Sequence, residues 1–407
     1  MAFHESMKIG LIGCGSIAQV HAQCISSLGE ACQLTAVADC ERERAERMGA
    51  GFGAVSYQDW RELLDREPLD VLHICSPHHL HTPMAEEALR RGISVFLEKP
   101  PAITWEQFDR LRAAADAARG KARLAVCFQN RLHPKVQYVR TLLQKGTLGK
   151  VMGLRGFVTW NRGGAYYSDS PWRGRLETEG GGALINQGIH TLDLMQYLVG
   201  GSAVSVDASC ENFHLKDQIE VEDTLTAYIR YPEVRAILYV TTAYTADVPP
   251  LIEVQCERGL VRMEGDEVRI WREELGEGQE SGKESEKEAE KGSGEVQGPG
   301  KEAEQEPGDA QGQGKDHDRD QKKAMEVEAG KDREQEPGVD EVRFPERKGF
   351  GKSCWGSDHM EAIGGFYESI RNSTPYLLDF ERVEETVKLM LRIYGSARGE
   401  EQVQEVR

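Results

Sequence analysis

The sequence predicts an α/β fold with an N-terminal Rossmann domain containing a parallel sheet, followed by an α+β domain with a large, mostly antiparallel open sheet. Over the first 130 residues, short apolar strands alternate with helix-like stretches. Repeated β-α-β units of this length call for a parallel sheet covered by helices on both faces. After about residue 150, strand-like segments follow one another without regular helices between them. Such a succession is typical of an antiparallel sheet in a second domain.

Each predicted element is a run with apolar periodicity bounded by glycine or polar residues. The strands of the first domain are Lys8–Gly13, Leu34–Asp39, Val71–Cys75, Ser94–Leu97 and Leu124–Phe128, with helices at Met84–Arg91 and Trp105–Arg119. Those of the second domain are Val151–Trp160, Val204–Phe213, Asp223–Arg230, Arg235–Tyr244, Leu251–Gln255 and Leu260–Gly265. Near the C-terminus, Asp358–Ser396 is predicted to be helical because its apolar residues recur on one face.

An acidic segment interrupts the second domain. Residues 276–340 carry 20 acidic and 10 basic side chains but no Phe, Tyr or Trp. They bury too little apolar surface to offset chain entropy, so we predict a disordered insertion in a hairpin loop. The expected organisation is a Rossmann domain over 1–130 and an α+β domain over 131–275 and 341–407. Glu267–Trp271 and Val342–Phe344 are expected to pair across the insertion.

Composition restricts the class of partner. The formal net charge of −18 argues against nucleic acid and anionic membranes, because both require a basic face. The N-terminus has no secretion signal and no run approaches 18 apolar residues, so a cytoplasmic location is expected. Nine scattered cysteines without a C-x-x-C pair fit reduced thiols, and no cluster has the spacing of metal ligands. No metal is therefore predicted.

A dinucleotide motif follows the first strand. Gly13, Gly15 and Ala18 form G-x-G-x-x-A, in which the glycines allow a tight turn and a close approach to pyrophosphate. Ser16 and Ile17 begin the helix whose free N–H groups would face the phosphates. Asp39 ends the next strand, 24 residues beyond Gly15, where a carboxylate binds a ribose diol and repels a 2′-phosphate. NAD is thus favoured over NADP; a glycine-rich turn beside a surface aspartate is the structural alternative.

Four further segments carry a resemblance to a known family. They are Ser76–His81 (SPHHLH), Glu98–Pro100 (EKP), Cys127–Arg131 (CFQNR) and Gly180–Asp193 (GGGALINQGIHTLD). Over roughly 7–274 and 342–400, the chain resembles the Gfo/Idh/MocA oxidoreductases. The resemblance implies a dinucleotide between the two domains and homodimers or homotetramers formed sheet to sheet. It also implies oxidation or reduction of a secondary alcohol on a sugar, a sugar nucleotide or a cyclitol.

The resemblance also assigns roles to single residues. Lys99 and His190 match the catalytic lysine and histidine of the family. The residues that match its cofactor contacts are Ser76, Pro77, His81, Glu98, Gln129 and Asn130. Asn186 stands where inositol-type members have aspartate, and Ser76 and His78 replace the usual Thr and Asn. Together with Tyr166-Tyr167 and Trp172-Arg173-Gly174, this pattern looks more like members that act at C3 of hexoses or UDP-linked amino sugars.

The chemistry expected of these residues is a paired hydride and proton transfer. His190, whose imidazole titrates near working pH, is the expected general base, and Lys99 is the cation that stabilises the developing alkoxide. Asn186 would share a helix face with His190, and Asp193 at i+3 is expected to orient the imidazole. The further substrate contacts expected are Arg131 and Arg173 for a phosphate or carboxylate, Tyr167 and Trp172 as a sugar platform, and His359.

Alternatives to this interpretation remain open at the level of sequence. A lysine between Glu and Pro is usually a solvated loop charge, and a histidine in an apolar helix is usually structural. His78, His79 and His81 are interpreted as loop and cofactor contacts rather than metal ligands. At the level of the whole protein, the alternatives are an NAD-assisted glycosidase of the same superfamily and a non-catalytic NAD-sensing regulator.

Overall fold

The computed structural model describes residues 6–273, 339–345 and 358–400. The disordered insertion predicted over 276–340 therefore lies almost wholly outside the described residues. Its last two residues, Val339 and Asp340, belong instead to a strand, so the predicted insertion extends two residues too far. Within the described ranges, every helix is too short or too polar to span a lipid bilayer.

The N-terminal sheet has six parallel strands, which confirms the predicted Rossmann architecture. In chain order they are β1 (Met7–Ile12), β2 (Cys32–Ala38), β3 (Val55–Tyr57), β4 (Val71–Ile74), β5 (Ser94–Leu97) and β6 (Leu124–Val126), arranged in space as β3-β2-β1-β4-β5-β6. All four residues of β4 and of β5 are buried, because helices cover both faces of the sheet. β3 was not predicted, since three residues, one exposed and two half-buried, give no periodic signal.

Six helices connect or follow these strands. They are α1 (Ser16–Ser27), α2 (Arg42–Phe52), α3 (Trp60–Arg66), α4 (His81–Arg90), α5 (Trp105–Ala118) and α6 (Pro134–Gln144). Polar caps begin three of them: Asp59 accepts from Arg61 N, Thr104 from Gln107 N, and His133 precedes a proline at the first helical position. These caps are local sequence signals for the positions at which α3, α5 and α6 begin.

The second sheet has eight strands and is mostly antiparallel, as predicted. They are β7 (Val151–Thr159), β8 (Ser205–Glu211), β9 (Thr224–Arg230), β10 (Arg235–Thr241), β11 (Leu251–Cys256), β12 (Gly259–Glu264), β13 (Glu267–Arg272) and β14 (Val339–Arg343). Their spatial order is β14-β13-β12-β11-β7-β10-β9-β8, and β7 with β10 is a parallel pair within it. β13 pairs with β14, so the expected pairing across the insertion is confirmed.

Four further helices complete the described chain. They are α7 (Gly164–Ser168), α8 (Ile189–Val199), α9 (His359–Asn372) and α10 (Phe380–Ala397). The stretch predicted as helical over Asp358–Ser396 is thus two helices, and the first ends at Ser373 in the left-handed conformation. α8 packs against β7 and α10 against β8, whereas α9 packs against α1 of the Rossmann sheet. The C-terminal helices therefore contact both sheets and border the space between them.

Candidate active site

The glycine turn after β1 has the geometry that the motif requires. Gly13 has φ +85°, and a Cβ there would lie 2.6 Å from the carbonyl oxygen of Cys75. Any side chain would therefore both strain the backbone and collide with the chain after β4. Gly15 lies against open space, because no atom falls within 4 Å of a Cβ built on it. In the described chain no side chain caps α1, so its first N–H groups remain available to an anion.

Asp39 lies beside this turn at the end of β2. Its Oδ2 accepts from the backbone N–H of Cys14 at 2.7 Å, and its Oδ1 accepts from that of Glu41 at 2.8 Å. Oδ2 keeps a second lone pair for a ribose hydroxyl, whereas Oδ1 also accepts a weak contact from Cys40 Sγ at 3.8 Å. The nearby guanidinium of Arg44 lies 3.0 Å from a carboxylate oxygen of Glu41. Arg44 is thus paired, and the predicted preference for NAD fits this arrangement.

Buried polar atoms at the ends of β4 and β6 also fit a cofactor. Ser76 Oγ and both amide atoms of Asn130 are buried without a hydrogen-bond partner among the described residues. A buried polar group left without a partner costs about 1–3 kcal/mol, so such a cluster indicates a ligand. The side chain of Gln129 is buried and accepts from Cys127 Sγ at 3.6 Å. Together with the open glycine turn, these atoms fit an NAD molecule lying along the carboxyl edge of the sheet.

His81 supports this edge through its ring. Its Nδ1 lies 2.6 Å from the carbonyl oxygen of Pro100, and its Nε2 lies 2.8 Å from that of Ser76. Burial lowers the pKa of His81, and these carbonyl contacts oppose the shift. Because both ring nitrogens are occupied, His81 joins the loops after β4 and β5. The prediction that His81 contacts the cofactor stays a prediction.

Glu98 is buried at the end of β5. Its Oε1 accepts from His21 Nε2 at 3.0 Å, and Nε2 of His359 lies 3.9 Å from the same oxygen. Burial by itself would raise the pKa of Glu98, but the hydrogen bond and charge of His21 outweigh burial and hold that pKa well below its usual range. Glu98 therefore stays ionised, and the predicted approach of His359 to the substrate stays a prediction.

A buried chain of hydrogen bonds continues behind Glu98. Nδ1 of His21 lies 2.9 Å from Nδ1 of His73, and Nε2 of His73 lies 2.8 Å from the hydroxyl of Tyr367 in α9. Nitrogen, oxygen and sulfur atoms of His21, Glu98, Cys127 and His359 lie within 4.8 Å of one another. The His21–Glu98 hydrogen bond, at 3.0 Å, lies within this cluster. No local spacing predicts this cluster, because its members come from elements that are distant in the chain.

Lys99 reaches across to the second domain. Its Nζ donates to the backbone carbonyl of Asn186 at 3.0 Å, and burial lowers its pKa. Asn186 lies in a π-helical turn, Leu184–Gly188, that leads directly into α8. Such turns break the regular backbone ladder of a helix and are frequent at functional sites. The structure therefore brings Lys99 to the turn that carries Asn186 and precedes His190.

His190 is the second residue of α8 and lies within the electrostatic influence of Lys99. Burial, with a further contribution from the Lys99 charge, lowers the pKa of His190 to about 3. The expectation that this imidazole titrates near neutral pH is therefore wrong: it is neutral throughout that range. Its buried Nδ1 has no partner among the described residues, so no hydrogen bond at that atom fixes the ring tautomer.

The turn before His190 is held by two buried side chains. Glu222 accepts from the backbone N–H groups of Gly182 and Leu184, at 2.8 and 3.0 Å, and from the hydroxyl of Tyr394. A Cβ on Gly182 would lie 1.9 Å from the carbonyl oxygen of Glu222, which explains why glycine is needed there. Close packing therefore requires glycine at this position, and the hydrogen bonds to Glu222 fix the position of the π-helical turn.

Glu179, directly before the glycine run, is a site residue that the sequence analysis missed. Its Oε1 accepts from Asn186 Nδ2 at 2.7 Å, and its backbone oxygen lies 2.9 Å from Nδ1 of His78. Burial raises the pKa of Glu179 to about 7, although hydrogen bonds from Gly174 and Asn186 oppose the shift. A carboxylate next to a glycine-rich motif was the available signal. His78 and His79 contact backbone carbonyls of this loop, as expected of loop histidines.

Arg131 is not placed at the substrate. It is 3% exposed and pairs with the carboxylate of Asp193, with the shortest N–O distance at 2.6 Å. Its remaining contacts are to the carbonyl of Arg382 and the hydroxyl of Thr386. Two expectations are therefore corrected: Arg131 is a buried structural cation, and Asp193 binds it rather than orienting His190.

The predicted sugar platform is rearranged in the structure. Tyr167 packs in a small apolar cluster with Leu215, Ile219 and Val221, and its predicted contact with the substrate stays a prediction. Tyr166 instead accepts from Gln187 at 3.1 Å and lies under Arg173, whose guanidinium carbon is 4.4 Å from the ring centre. The same guanidinium lies 5.4 Å from the ring centre of Trp172. The side chains of Arg173 and Trp172 therefore lie next to each other, with Arg173 near Lys99.

Comparison with known proteins adds a family and a set of relatives. Residues 7–128 match a model described as an oxidoreductase family with an NAD-binding Rossmann fold, and residues 136–262 match the GFO/IDH/MocA C-terminal domain. D-glucoside 3-dehydrogenase of Escherichia coli (strain K12) is 32% identical over 261 residues, which are 60% of this chain and 71% of that protein.

More distant similarities extend the comparison. Levoglucosan dehydrogenase of Pseudarthrobacter phenanthrenivorans is 29% identical over 205 residues, which cover 48% of this chain but only 52% of that protein. The crystal structure of the WlbA dehydrogenase from Bordetella pertussis, in complex with NADH and UDP-GlcNAcA, covers 97% of both chains with a TM-score of 0.71. Its sequence identity is 24%, so this likeness concerns the fold.

Proposed function

The chain belongs to the Gfo/Idh/MocA oxidoreductase family, and from this membership we propose that it moves a hydride between a secondary alcohol of a sugar and NAD. The observation that carries the proposal is the contact of Lys99 Nζ with the Asn186 carbonyl, which joins the carboxyl edge of the Rossmann sheet to the turn before His190. NAD, when bound, supplies the hydride acceptor. Gly13, Gly15, Asp39, Ser76 and Asn130 would hold it.

The proposed chemistry assigns complementary roles to the two catalytic residues. Lys99 uses one ammonium hydrogen on Asn186, which leaves two for the oxygen of the reacting hydroxyl. Its charge stabilises the developing alkoxide in a site with little water. His190 is neutral at neutral pH, so its ring is able to accept the hydroxyl proton. Burial makes the resulting imidazolium costly and so weakens His190 as a base, and the stabilisation of the alkoxide by Lys99 has to offset that cost.

The proposed substrate is a hexose unit, free, glycosidic or nucleotide-linked, that reacts at C3. Support comes from the E. coli relative, which is named as a D-glucoside 3-dehydrogenase. Further support comes from Trp172 and Arg173, because a stacked indole and guanidinium suit a sugar face and an anionic substituent. Cofactor choice follows Asp39, with NAD preferred over NADP.

We also propose that the protein is a homodimer or homotetramer formed through the second sheet. α8 and α10 cover one face of this sheet, whereas Ile237 on the opposite face is 46% exposed. Phe157 and Tyr239 lie beside each other on that same face, with ring centres 6.2 Å apart. An apolar patch of this kind suits an isologous contact with a second copy.

The test is spectrophotometric and uses two active-site variants. NAD would be offered with hexoses, alkyl glycosides, hexose phosphates, UDP-N-acetylglucosamine, its uronic acid and inositols, and NADH absorbance followed. We expect turnover on one hexose class and its loss in Lys99→Ala and His190→Ala, with NADH binding retained in both. Glycosidic bond cleavage without net NADH would favour the glycosidase. NADH binding without turnover on any sugar would favour the sensor.

A further inference from the structure

The side-chain amide of Asn186 has one end fixed and one end available. The amide nitrogen Nδ2 donates to Oε1 of Glu179 at 2.7 Å. The backbone carbonyl of the same residue, Asn186, accepts from Lys99 Nζ at 3.0 Å. Asn186 is partly exposed, whereas Glu179 is fully buried. Asn186 thus contacts a buried carboxylate through its side chain and Lys99 through its backbone, and the two ends of its amide have opposite hydrogen-bonding character.

The protonation state of the Glu179 carboxyl group determines which end of the Asn186 amide points towards it. An ionised carboxylate only accepts hydrogen bonds, so it selects the NH₂ end of the amide. The carbonyl oxygen Oδ1 is then directed away from Glu179, where it accepts from a donor. A protonated Glu179 has an O–H that donates, and the amide then gains by turning Oδ1 towards it. The end presented beside Lys99 would change from an acceptor to a donor.

We propose that Glu179 is a positioning residue that determines whether Asn186 presents its carbonyl oxygen or its NH₂ group to a substrate hydroxyl. The proposal rests on the dehydrogenase function proposed above and extends it, because it names the group that prepares Asn186. With the carboxylate ionised, Asn186 Oδ1 accepts from a sugar hydroxyl next to the one held by Lys99. With the carboxyl protonated, that acceptor is lost and substrate affinity falls.

The surroundings of Glu179 make this change accessible near neutral pH. Burial raises its pKa to about 7; the charge of Glu222 pushes in the same direction, and the charge of Arg173 opposes it. Hydrogen bonds from Gly174 N and Asn186 Nδ2 favour the ionised form. The other titratable groups that face it are Lys99, Tyr166 and Tyr167, with the ring of His78 on its backbone carbonyl.

The direction of the pH effect follows from these groups. Above about pH 7 Glu179 is ionised and Asn186 presents its oxygen, so KM for the sugar is low. Below that pH the acceptor is lost and KM rises by about tenfold, the equivalent of one hydrogen bond. His190 contributes nothing to this limb, because its own pKa lies at about 3. kcat changes less than KM, since Lys99 and His190 stay in place.

The kinetic experiment compares wild type with Glu179→Gln and Glu220→Gln between about pH 5.5 and pH 8.5. Glutamine at 179 keeps an acceptor for Gly174 N but donates to Asn186, so we expect a high KM that no longer depends on pH. Glu220 is exposed and accepts from Leu176 N in the same loop at 3.1 Å, so its variant is the matched control and should follow wild type. A Glu179→Gln protein that keeps the wild-type KM profile would overturn the proposal.

A second measurement needs neither substrate nor turnover. Infrared difference spectra of the unliganded wild-type protein across the same pH range should contain a protonated-carboxyl band that titrates near pH 7 and is missing in Glu179→Gln. If wild type has no such band, Glu179 does not change state there and the proposal fails. This readout separates that failure from a failure of the dehydrogenase function, in which the band would titrate although no sugar is oxidised.

Discussion

Lys99 Nζ lies 3.0 Å from the backbone carbonyl oxygen of Asn186, 87 residues further along the chain. The lysine follows β5 of the Rossmann sheet, and the carbonyl belongs to the π-helical turn before α8. One hydrogen bond therefore positions the proposed alkoxide-stabilising cation relative to His190. The acceptor of this hydrogen bond is a backbone carbonyl. A side chain that replaces Lys99 must therefore be equally long and carry a hydrogen-bond donor to keep the contact with Asn186.

Replacing Lys99 with methionine should remove the cation while keeping most of its volume. We expect kcat for the sugar substrate to fall by about 10²–10³-fold, the usual effect of losing one oriented donor at a developing oxyanion. The Kd for NADH should change by no more than a few fold. Lys121→Met, at an exposed position, is the control and should keep full activity. Equal losses in kcat and in NADH affinity would point to a cofactor-binding role.

Two glycines of the same turn should respond differently to alanine. Gly13→Ala places a side chain at φ +85° and 2.6 Å from the Cys75 carbonyl, so the free energy of unfolding should fall by more than the roughly 1–2 kcal/mol of left-handed strain. Gly15→Ala meets no atom within 4 Å and should leave stability unchanged, while NADH affinity falls by about tenfold or more.

Urea unfolding and NADH titration of both variants would separate these effects. Gly51→Ala, in α2 with open space around it, is a control that should bind NADH normally. Unchanged NADH affinity in Gly15→Ala would show that pyrophosphate does not approach this turn.

The elements could be predicted wherever the hydrophobic pattern was unambiguous. Ser94–Leu97 was predicted with the bounds it has in the structure, because three consecutive apolar residues follow Ser94 between turn signals. Val55–Tyr57 was missed because an edge strand of three residues has no such pattern. The site was less predictable than the fold. The role of Arg131 depends on Asp193, 62 residues away, and no local spacing reveals that partner.

Burial was the other source of error. The imidazole of His190 was expected to titrate near neutral pH because that is its ordinary behaviour in water. Its enclosure between the two domains and the nearby Lys99 charge lower its pKa to about 3. Burial raises the pKa of Glu179 instead, because it disfavours the charged form of an acid. Neither pKa shift can be inferred from the sequence.

Cofactor choice should depend on Asp39. Asp39→Ser removes the carboxylate that would repel a 2′-phosphate, so the ratio of kcat/KM for NAD to that for NADP should fall on the order of tenfold. Steady-state kinetics with both cofactors would measure it. Glu43→Gln, which neutralises an exposed carboxylate of α2 four residues away, is the control and should keep the wild-type ratio. An unchanged ratio in Asp39→Ser would place the ribose elsewhere.

The buried pair of Arg131 and Asp193 should matter for stability rather than for substrate binding. Arg131→Met leaves the Asp193 carboxylate buried without its cation, so the free energy of unfolding should fall by about 3–5 kcal/mol. Adding Asp193→Leu should recover much of that loss, because both charges are then absent. Urea denaturation measures both. Arg42→Met breaks the exposed pair with Glu46 and should cost less than about 1 kcal/mol.

The open face of the second sheet should control assembly. Ile237 and Met152 have similar exposure, 46% and 52%, but lie on opposite faces of neighbouring strands. Ile237 pairs in register with Arg155, away from α8, whereas Met152 alternates with Leu154 and Gly156 towards α8. In an isologous interface, glutamate at position 237 would bury two negative charges, one from each copy, against each other. The free-energy cost of burying them would exceed the apolar contribution of Ile237.

Light scattering after size exclusion would therefore distinguish the two faces. We expect wild type and Met152→Glu to elute as the same dimer or tetramer, and Ile237→Glu to shift towards monomer at micromolar concentration. Far-ultraviolet circular dichroism should be alike in all three proteins, because both positions are exposed and their backbone pairing is unchanged. Dissociation by Met152→Glu but not by Ile237→Glu would move the interface to the helical side of the sheet, where α8 would then have to contact the second copy.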